Sequence, residues 1–317
     1  MASLQKVFPC GVEANPRFAF RIALLADGYT LAERDVFMGI CALFVRRFLD
    51  TAPFGMTRRR PEWVAIYRHF VPGTPGETVT ATEPANPSNL IIDQDKLKAL
   101  CKAVTVPVDS GTTVLYDVMP SLGVEAGLSG TLVAFIRPSA GNLGSDGEAI
   151  PDGNARYAVA TTADGEWYQV VLRGVARMLG LGVEYDLPGD ANLEPSDPWS
   201  LSSTHFNLEQ YDSPPVLNAD WGKWQSLMTA QQALLPATII RKGVDDGKQN
   251  TTLDAPPYAR DVFTLWEGGG GFRSQAYRTA ADCLLRRQPG NLRLPLRAGR
   301  LPMCPACMAF LSNAVGG

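Results

Sequence analysis

The chain has 317 residues, of which 45% are hydrophobic and 19% charged, so it is long and apolar enough to bury a full core. Its 29 lysines and arginines against 32 aspartates and glutamates give a formal net charge of -3, which excludes the overall basicity typical of nucleic-acid-binding proteins. No apolar run approaches the ~18 residues of a membrane span. We therefore expect a soluble globular protein of one large or two modest domains, without a secretory signal at its start.

The first seventy residues have the pattern of a strand, a helix and a second strand. Residues 18–26 are mostly apolar and end at Asp27-Gly28, which predicts a buried strand followed by a turn. Thr30 and Glu33 have the spacing of a capping box, and the apolar residues after them predict a helix reaching about Leu49. These apolar residues are Val36, Phe37, Ile40, Leu43, Phe44 and Phe48. Residues 63–71 predict the second strand, so the chain opens as an α/β protein.

The next segments alternate between loops and regular elements. Residues 73–88, rich in threonine, proline and glycine, predict a surface loop, and residues 93–104 predict a weak helix. A short apolar strand is expected at 131–136, and a long loop at 139–154. Residues 219–235 are expected to form a further helix.

Residues 167–181 predict a central amphipathic helix. Its apolar face comprises Val171, Val175, Met178 and Leu179. Glycine costs about 1 kcal/mol relative to alanine inside a helix, so Gly174 suggests close packing there. Gly180 and Gly182 are expected to mark the end of this helix.

Cysteine is concentrated near the C-terminus. Cys304 and Cys307 form a C-x-x-C motif, with Cys283 upstream. A structural zinc normally takes four ligands, so one would be missing, and a disulfide among these three residues is the favoured alternative to a zinc site. A redox C-x-x-C is disfavoured because the motif lies outside a thioredoxin-like pattern.

Several enzyme classes lack their defining motifs. The chain has no G-x-S-x-G nucleophile elbow and no phosphate-binding G-x-x-x-x-G-K-[ST] loop. Its only histidines, His69 and His205, are too far apart in sequence to form a local metal-binding pair. The arginines near the C-terminus are more consistent with a solvated loop than with a nucleic-acid-binding patch.

Taken together, a series of short motifs resembles the IgA-peptidase-like family of zinc metallopeptidases. The segment 23–30, with Glu33 and Phe37, resembles the opening "LxDGYT…E…F" of that family. Leu181, Gly182, Glu184 and Tyr185 resemble the end of its "HExGHxxxxLxDEY" helix. Near the C-terminus, Asp282-Cys283 and Cys304-Pro305-Ala306-Cys307 resemble its "DCxMR…CPxC" tail. The resemblance extends over residues 17 to 310 and implies a zincin-like fold.

The departure from the family pattern falls on the catalytic residues. In register with Glu184 and Tyr185, the two zinc histidines fall on Leu172 and Ala176, and the catalytic glutamate falls on Arg173. Leucine and alanine have no lone pairs to donate to a metal, and a permanently charged arginine cannot accept a proton from a zinc-bound water. The resemblance therefore implies a catalytically inactive member of the family, without a catalytic metal or other cofactor.

We therefore expect a binding or structural module that works with a protein partner or by self-assembly, without nucleic acid. The candidate cleft residues are Glu184, Tyr185 and His205. The alternative is an active zinc-dependent endopeptidase whose ligands are displaced, with His205, Glu184 and either His69 or Asp186 converging on the metal. The location is left open, with the cytoplasm favoured over secretion because no signal peptide is evident.

The expected architecture is α/β: a small mixed sheet, the central helix packed beneath it, and a loop-rich C-terminal subdomain. Residues 1–16 are assigned to an N-terminal extension, 17–310 to a single metallopeptidase-like domain, and 311–317 to a tail. The loop-rich subdomain covers about residues 186–310.

Overall fold

The structure is a computed structural model, which describes part of the chain. The described residues are 2–9, 20–73, 78–83, 86–108, 111–119, 130–138, 157–162, 167–182, 206–210, 224, 266–269, 272–278, 283–286 and 303–316. The chain divides into two compact units, which are described separately. The first comprises Met1–Leu179 with Ala314–Gly317, and the second comprises Gly180–Asn313.

The described residues form thirteen strands and four α-helices. The strands are β1 Ala2–Ser3, β2 Gln5–Phe8, β3 Phe20–Ala26, β4 Val64–His69, β5 Thr80–Glu83, β6 Asn86–Ile92, β7 Val104–Val108, β8 Gly111–Val114, β9 Gly130–Arg137, β10 Tyr157–Thr161, β11 Glu209–Gln210, β12 Trp266–Gly269 and β13 Phe272–Arg278. The helices are α1 Arg34–Asp50, α2 Gln94–Ala103, α3 Tyr168–Met178 and α4 Pro305–Gly316. Among the described residues, no helix is both long and apolar enough to cross a bilayer.

The first unit is built on a five-stranded mixed sheet with the order β10-β9-β3-β4-β2. Four strands run parallel, and β2 lies antiparallel at one edge beside β4. In the centre, Ile22 of β3 is paired with Ile66 on one side and Leu132 on the other. Every residue of β3 is buried, as expected for a parallel strand covered on both faces. The predicted α/β class with a mixed sheet is confirmed.

Helix α1 follows β3 and supplies an aromatic face to the core. Its buried residues, Phe37, Cys41, Phe44 and Phe48, recur at helical spacing. The helix itself is confirmed, but two of the residues assigned to its apolar stripe lie toward solvent. Val36 is 58% exposed and Leu43 41% exposed, because they lie about a third of a turn around the helix from the buried row.

The turn-rich segment predicted as a surface loop contains regular structure. In its described part, β5 pairs antiparallel with β6. A loop over this part is therefore the wrong prediction. The reason is visible in the composition: threonine in β5 and Leu90-Ile91-Ile92 in β6 favour strands, which the neighbouring prolines and glycines obscure in a sequence pattern.

The second unit contains a three-stranded antiparallel sheet, β11-β13-β12, and most of α4. The side chain of Asn207 is held by the backbone of Gly182, accepting from its N–H at 2.8 Å and donating to its carbonyl at 2.8 Å. The neighbouring Phe206 stacks on Phe310 of α4 with ring centroids 5.3 Å apart. The indole N–H of Trp224 donates to the Phe206 carbonyl, so this short segment is fixed from both sides.

Candidate functional site

Helix α3 carries the positions at which the family resemblance places a catalytic zinc. Its N-terminal side packs on α1, where the rings of Trp167 and Phe44 are 6.0 Å apart. Its middle packs on the sheet at Gly174, where a Cβ would lie 3.2 Å from Leu132 and 3.4 Å from Ala158. The predicted close packing at Gly174 is confirmed. Gly180, with φ of 106°, follows the helix and ends it as expected for a left-handed C-terminal residue.

Leu172, Arg173 and Ala176 all lie within α3 and have no exposed surface. Leu172 and Ala176 are one helical turn apart, which is the spacing that places two histidine ligands on the same side of a helix. Here both of these positions carry only hydrocarbon. A catalytic zinc also needs an open coordination position for water and substrate, whereas these three side chains are closed off from solvent.

Arg173 brings a permanent charge into this buried helix, and Arg177 brings a second one a turn later. Arg173 is 0% exposed and Arg177 4% exposed. Buried charge is tolerated only where neighbouring groups compensate it. The surroundings of α3 therefore account for an arginine at each of these two positions, whereas the amphipathic pattern of the helix does not. The motif resemblance points to Arg173 but not to Arg177. The signal that could have found Arg177 is its four-residue spacing from Arg173 in the same apolar segment.

The structure does not reach every residue of the predicted cleft. Glu184, Tyr185 and His205 lie outside the described residues, as do the predicted loop at 139–154 and all of the predicted helix at 219–235 except Trp224. The other histidine is described: His69 is the last residue of β4, half-buried, and its register partner in β3 is Leu25. Burial lowers its pKa.

Within the described part of the chain, one group of side chains is arranged to share a metal ion. It consists of Cys283, Cys304 and Cys307, whose Sγ atoms all lie within 4.8 Å of one another. Residues 21 to 24 positions apart in the sequence are thus brought together in the second unit. All three are buried, with exposed fractions of 2%, 2% and 0%. We call these three residues the cysteine cluster.

The backbone of α4 orients the cysteine cluster. Cys304 immediately precedes the helix, and the N–H of Cys307 donates to its Sγ at 3.5 Å, as an N-cap side chain accepts from the third residue of a helix. The N–H of Cys304 in turn donates to the Sγ of Cys283 at 3.4 Å. The Sγ atoms of Cys283 and Cys307 are 3.8 Å apart.

All five described cysteines carry thiols, and no disulfide joins any pair of them. Complete burial, followed by hydrogen bonds to Cys283 and Cys304, raises the pKa of Cys307 well above its ordinary value. Burial also separates this thiol from oxidants and alkylating agents in solution, which react with the exposed thiolate. The three sulfur atoms are close enough together to act as donors to one ion, whereas burial opposes exchange with an external redox partner.

No protein-family model matches this chain, and no curated protein matches it. The resemblance to IgA-peptidase-like proteins accordingly depends on the order and spacing of the short motifs alone.

Proposed function

We propose that this protein is a catalytically inactive relative of the IgA-peptidase-like zinc metallopeptidases, with a zincin-like fold. It acts as a binding or structural module, through a protein partner or by self-assembly. The observation that carries the proposal is the character of α3. Where the family motif requires two zinc ligands and a general base, the chain has two hydrocarbon side chains and a guanidinium, all three fully buried.

The chemistry of peptide hydrolysis explains why these replacements matter together. A catalytic zinc lowers the pKa of its bound water, and a carboxylate removes the proton as the hydroxide attacks the carbonyl. At this position Leu172 and Ala176 cannot hold the ion. Arg173 can neither accept the proton nor lie favourably beside a divalent cation.

The packing of α3 in the fold also supports the proposal. The helix makes apolar contacts with α1 and with the sheet, so the element at which the resemblance places a zinc site forms part of the hydrophobic core. A domain that keeps this core and lacks the ligands suits a role in which its surface is recognised and no bond is broken.

The proposal is tested by assaying the purified 317-residue chain for hydrolysis of a fluorogenic protein substrate, with zinc added and with a chelator. Two variants serve as a matched pair, Arg173→Met and Arg177→Met, because both replace a buried guanidinium on α3 by an unbranched apolar side chain. We expect no release of peptide above an enzyme-free blank from the wild type or from either variant.

Hydrolysis by the wild type that is abolished by chelation and restored by zinc would overturn the proposal. Loss of that hydrolysis in Arg173→Met, but not in Arg177→Met, would then place Arg173 in an active site. Circular dichroism of each variant establishes that it is folded before its activity is compared.

A further inference from the structure

The geometry of the cysteine cluster is closer to that of a metal site than to that of a disulfide. A zinc ion bound by thiolates at about 2.3 Å in a tetrahedron holds its sulfur atoms about 3.8 Å apart. The Sγ atoms of Cys283 and Cys307 are separated by 3.8 Å. A disulfide would need these atoms at about 2.05 Å and would leave the third thiol unused.

The remaining distances are compatible with a single central ion. All three Sγ atoms lie within 4.8 Å of one another, so a small contraction brings each of them to bonding distance from one point. The two backbone N–H groups that donate to sulfur, those of Cys304 and Cys307, are oriented to stabilise thiolates. The N-terminus of the twelve-residue helix α4 adds favourable dipoles at the same place.

Burial indicates which kind of metal site this is. A catalytic zinc keeps a position open to substrate, whereas structural zinc sites are closed. Each cysteine of the cluster is at most 2% exposed. Sulfur ligands select soft or borderline ions such as zinc over magnesium or calcium.

We propose that Cys283, Cys304 and Cys307 supply three of the four ligands of a structural zinc site that holds the start of α4 against the segment containing Cys283. This inference is independent of the proposed function, because a structural zinc here is compatible with the presence or the absence of peptidase activity. The fourth ligand is a donor other than these three thiols.

The test uses the 317-residue chain purified with a reductant and without oxygen. The protein is stripped with a chelator, reconstituted with zinc, passed over a desalting column and analysed for metal by mass spectrometry. We expect one zinc per chain in the wild type. Cys304→Ser is expected to fall to the level of a protein-free blank.

Cys41→Ala is the matched control, because Cys41 is also fully buried but lies on α1 in the first unit. It is expected to retain zinc as the wild type does. Loss of zinc from both variants would overturn the assignment, since it would place the metal elsewhere or show that binding depends only on overall integrity.

A spectroscopic measurement on the wild type keeps the proposal testable even where Cys304→Ser does not fold. X-ray absorption at the metal edge of the zinc-loaded protein is expected to give at least three sulfur neighbours at about 2.3 Å. The proposal is wrong if the reduced wild type retains no zinc, or if its bound zinc has no sulfur neighbours. A Cys283–Cys307 disulfide in the anaerobically purified, metal-free protein would overturn it as well.

Discussion

At the scale of single residues, Gly28 shows how one position fixes a turn. It follows β3 and Asp27 with φ of 86°, in the left-handed region that side chains rarely adopt. An added Cβ would also lie 2.9 Å from the Cγ2 of Thr78. Asp27 itself is buried and accepts a hydrogen bond from the N–H of Val79 at 2.8 Å, so the turn is tied to the segment beginning near Thr78.

We predict that Gly28→Ala destabilises the protein by about 1–3 kcal/mol, because both the backbone conformation and the space oppose a side chain. Gly39→Ala is the control, since Gly39 lies inside α1 with nothing within 4 Å of an added Cβ. That substitution should stabilise by roughly 0.5–1 kcal/mol through helix propensity. Urea unfolding of both variants measures the difference, and equal effects of the same sign would contradict the prediction.

Glu33 provides a pH-dependent contribution at the start of α1. Its carboxylate accepts hydrogen bonds from the backbone N–H and from the hydroxyl of Thr30, both at 2.8 Å. The backbone bond first, and the hydroxyl bond second, lower the pKa of Glu33 below 4.5 in the folded state. A lowered folded-state pKa means that the stabilisation is present above the unfolded-state pKa and is lost as the pH falls through the folded-state value.

We therefore predict that Glu33→Gln is less stable than the wild type at neutral pH, and that this difference shrinks as the solution is acidified below pH 4.5. Thr30→Val keeps the backbone donor and removes the hydroxyl, so it should raise the pKa of Glu33 only part of the way. NMR titration of the Glu33 carboxyl measures its pKa in the wild type and in Thr30→Val. An unchanged pKa in Thr30→Val would mean that the hydroxyl bond contributes nothing in solution.

At the scale of elements, the contact of α3 with the sheet depends on the absence of a side chain at Gly174. The Leu132 methyl groups lie 3.2 and 3.4 Å from the position of a Cβ there. Alanine is accommodated if Leu132 shifts by a few tenths of an ångström, and its better helix propensity offsets part of the cost. A larger branched side chain has no such space.

We predict that Gly174→Val destabilises by roughly 1–3 kcal/mol through overpacking. Gly39→Val, with open space in α1, should be close to neutral, because valine has a better helix propensity than glycine. Thermal or urea unfolding compares the two. A small effect at both positions would contradict the prediction, because it would show that α3 can move away from β9 and β10 without loss of stability.

The elements also show which parts of the fold can be predicted from sequence patterns. The strands β3, β4 and β9 and the helices α1, α2 and α3 are predictable, because each has a sustained apolar period or a clear start and stop signal. The orientation of α1 is less predictable. Val36 and Leu43 recur at helical spacing just as the buried residues do, and only the packing determines which side of the helix faces the core. Short strands such as β7 and β8 escape because four or five residues give little periodicity.

At the scale of the whole molecule, stability in the first unit is expected to centre on β3. This strand is paired on both sides and fully buried, whereas β2 at the sheet edge is paired with β4 alone and is largely half-buried. We predict that amides of β3 and β9 exchange most slowly with deuterated solvent and those of β2 much faster. Mass spectrometry of peptic peptides measures this, and equal protection of β2 and β3 would contradict it.

The candidate sites also differ in how much of them can be predicted from the sequence. The identities of Leu172, Arg173 and Ala176 were enough to predict that these positions offer no metal ligand, because lone pairs and charge are properties of the residue type. Their complete burial was not predictable, since the amphipathic pattern left one face of the helix free for solvent. Glu184, Tyr185 and His205 stay predictions, because they lie outside the described residues.

The sequence by itself determined the α/β class, the central helix and the presence of a C-x-x-C near the C-terminus, because these depend on local periodicity and residue chemistry. Only the tertiary structure decided that Cys283 lies beside Cys304 and Cys307, and that the three form a buried set of thiols. Contacts between distant residues depend on how the chain folds back on itself, and the spacing of three cysteines is compatible with several such paths. The metal site that we propose follows from that folded arrangement.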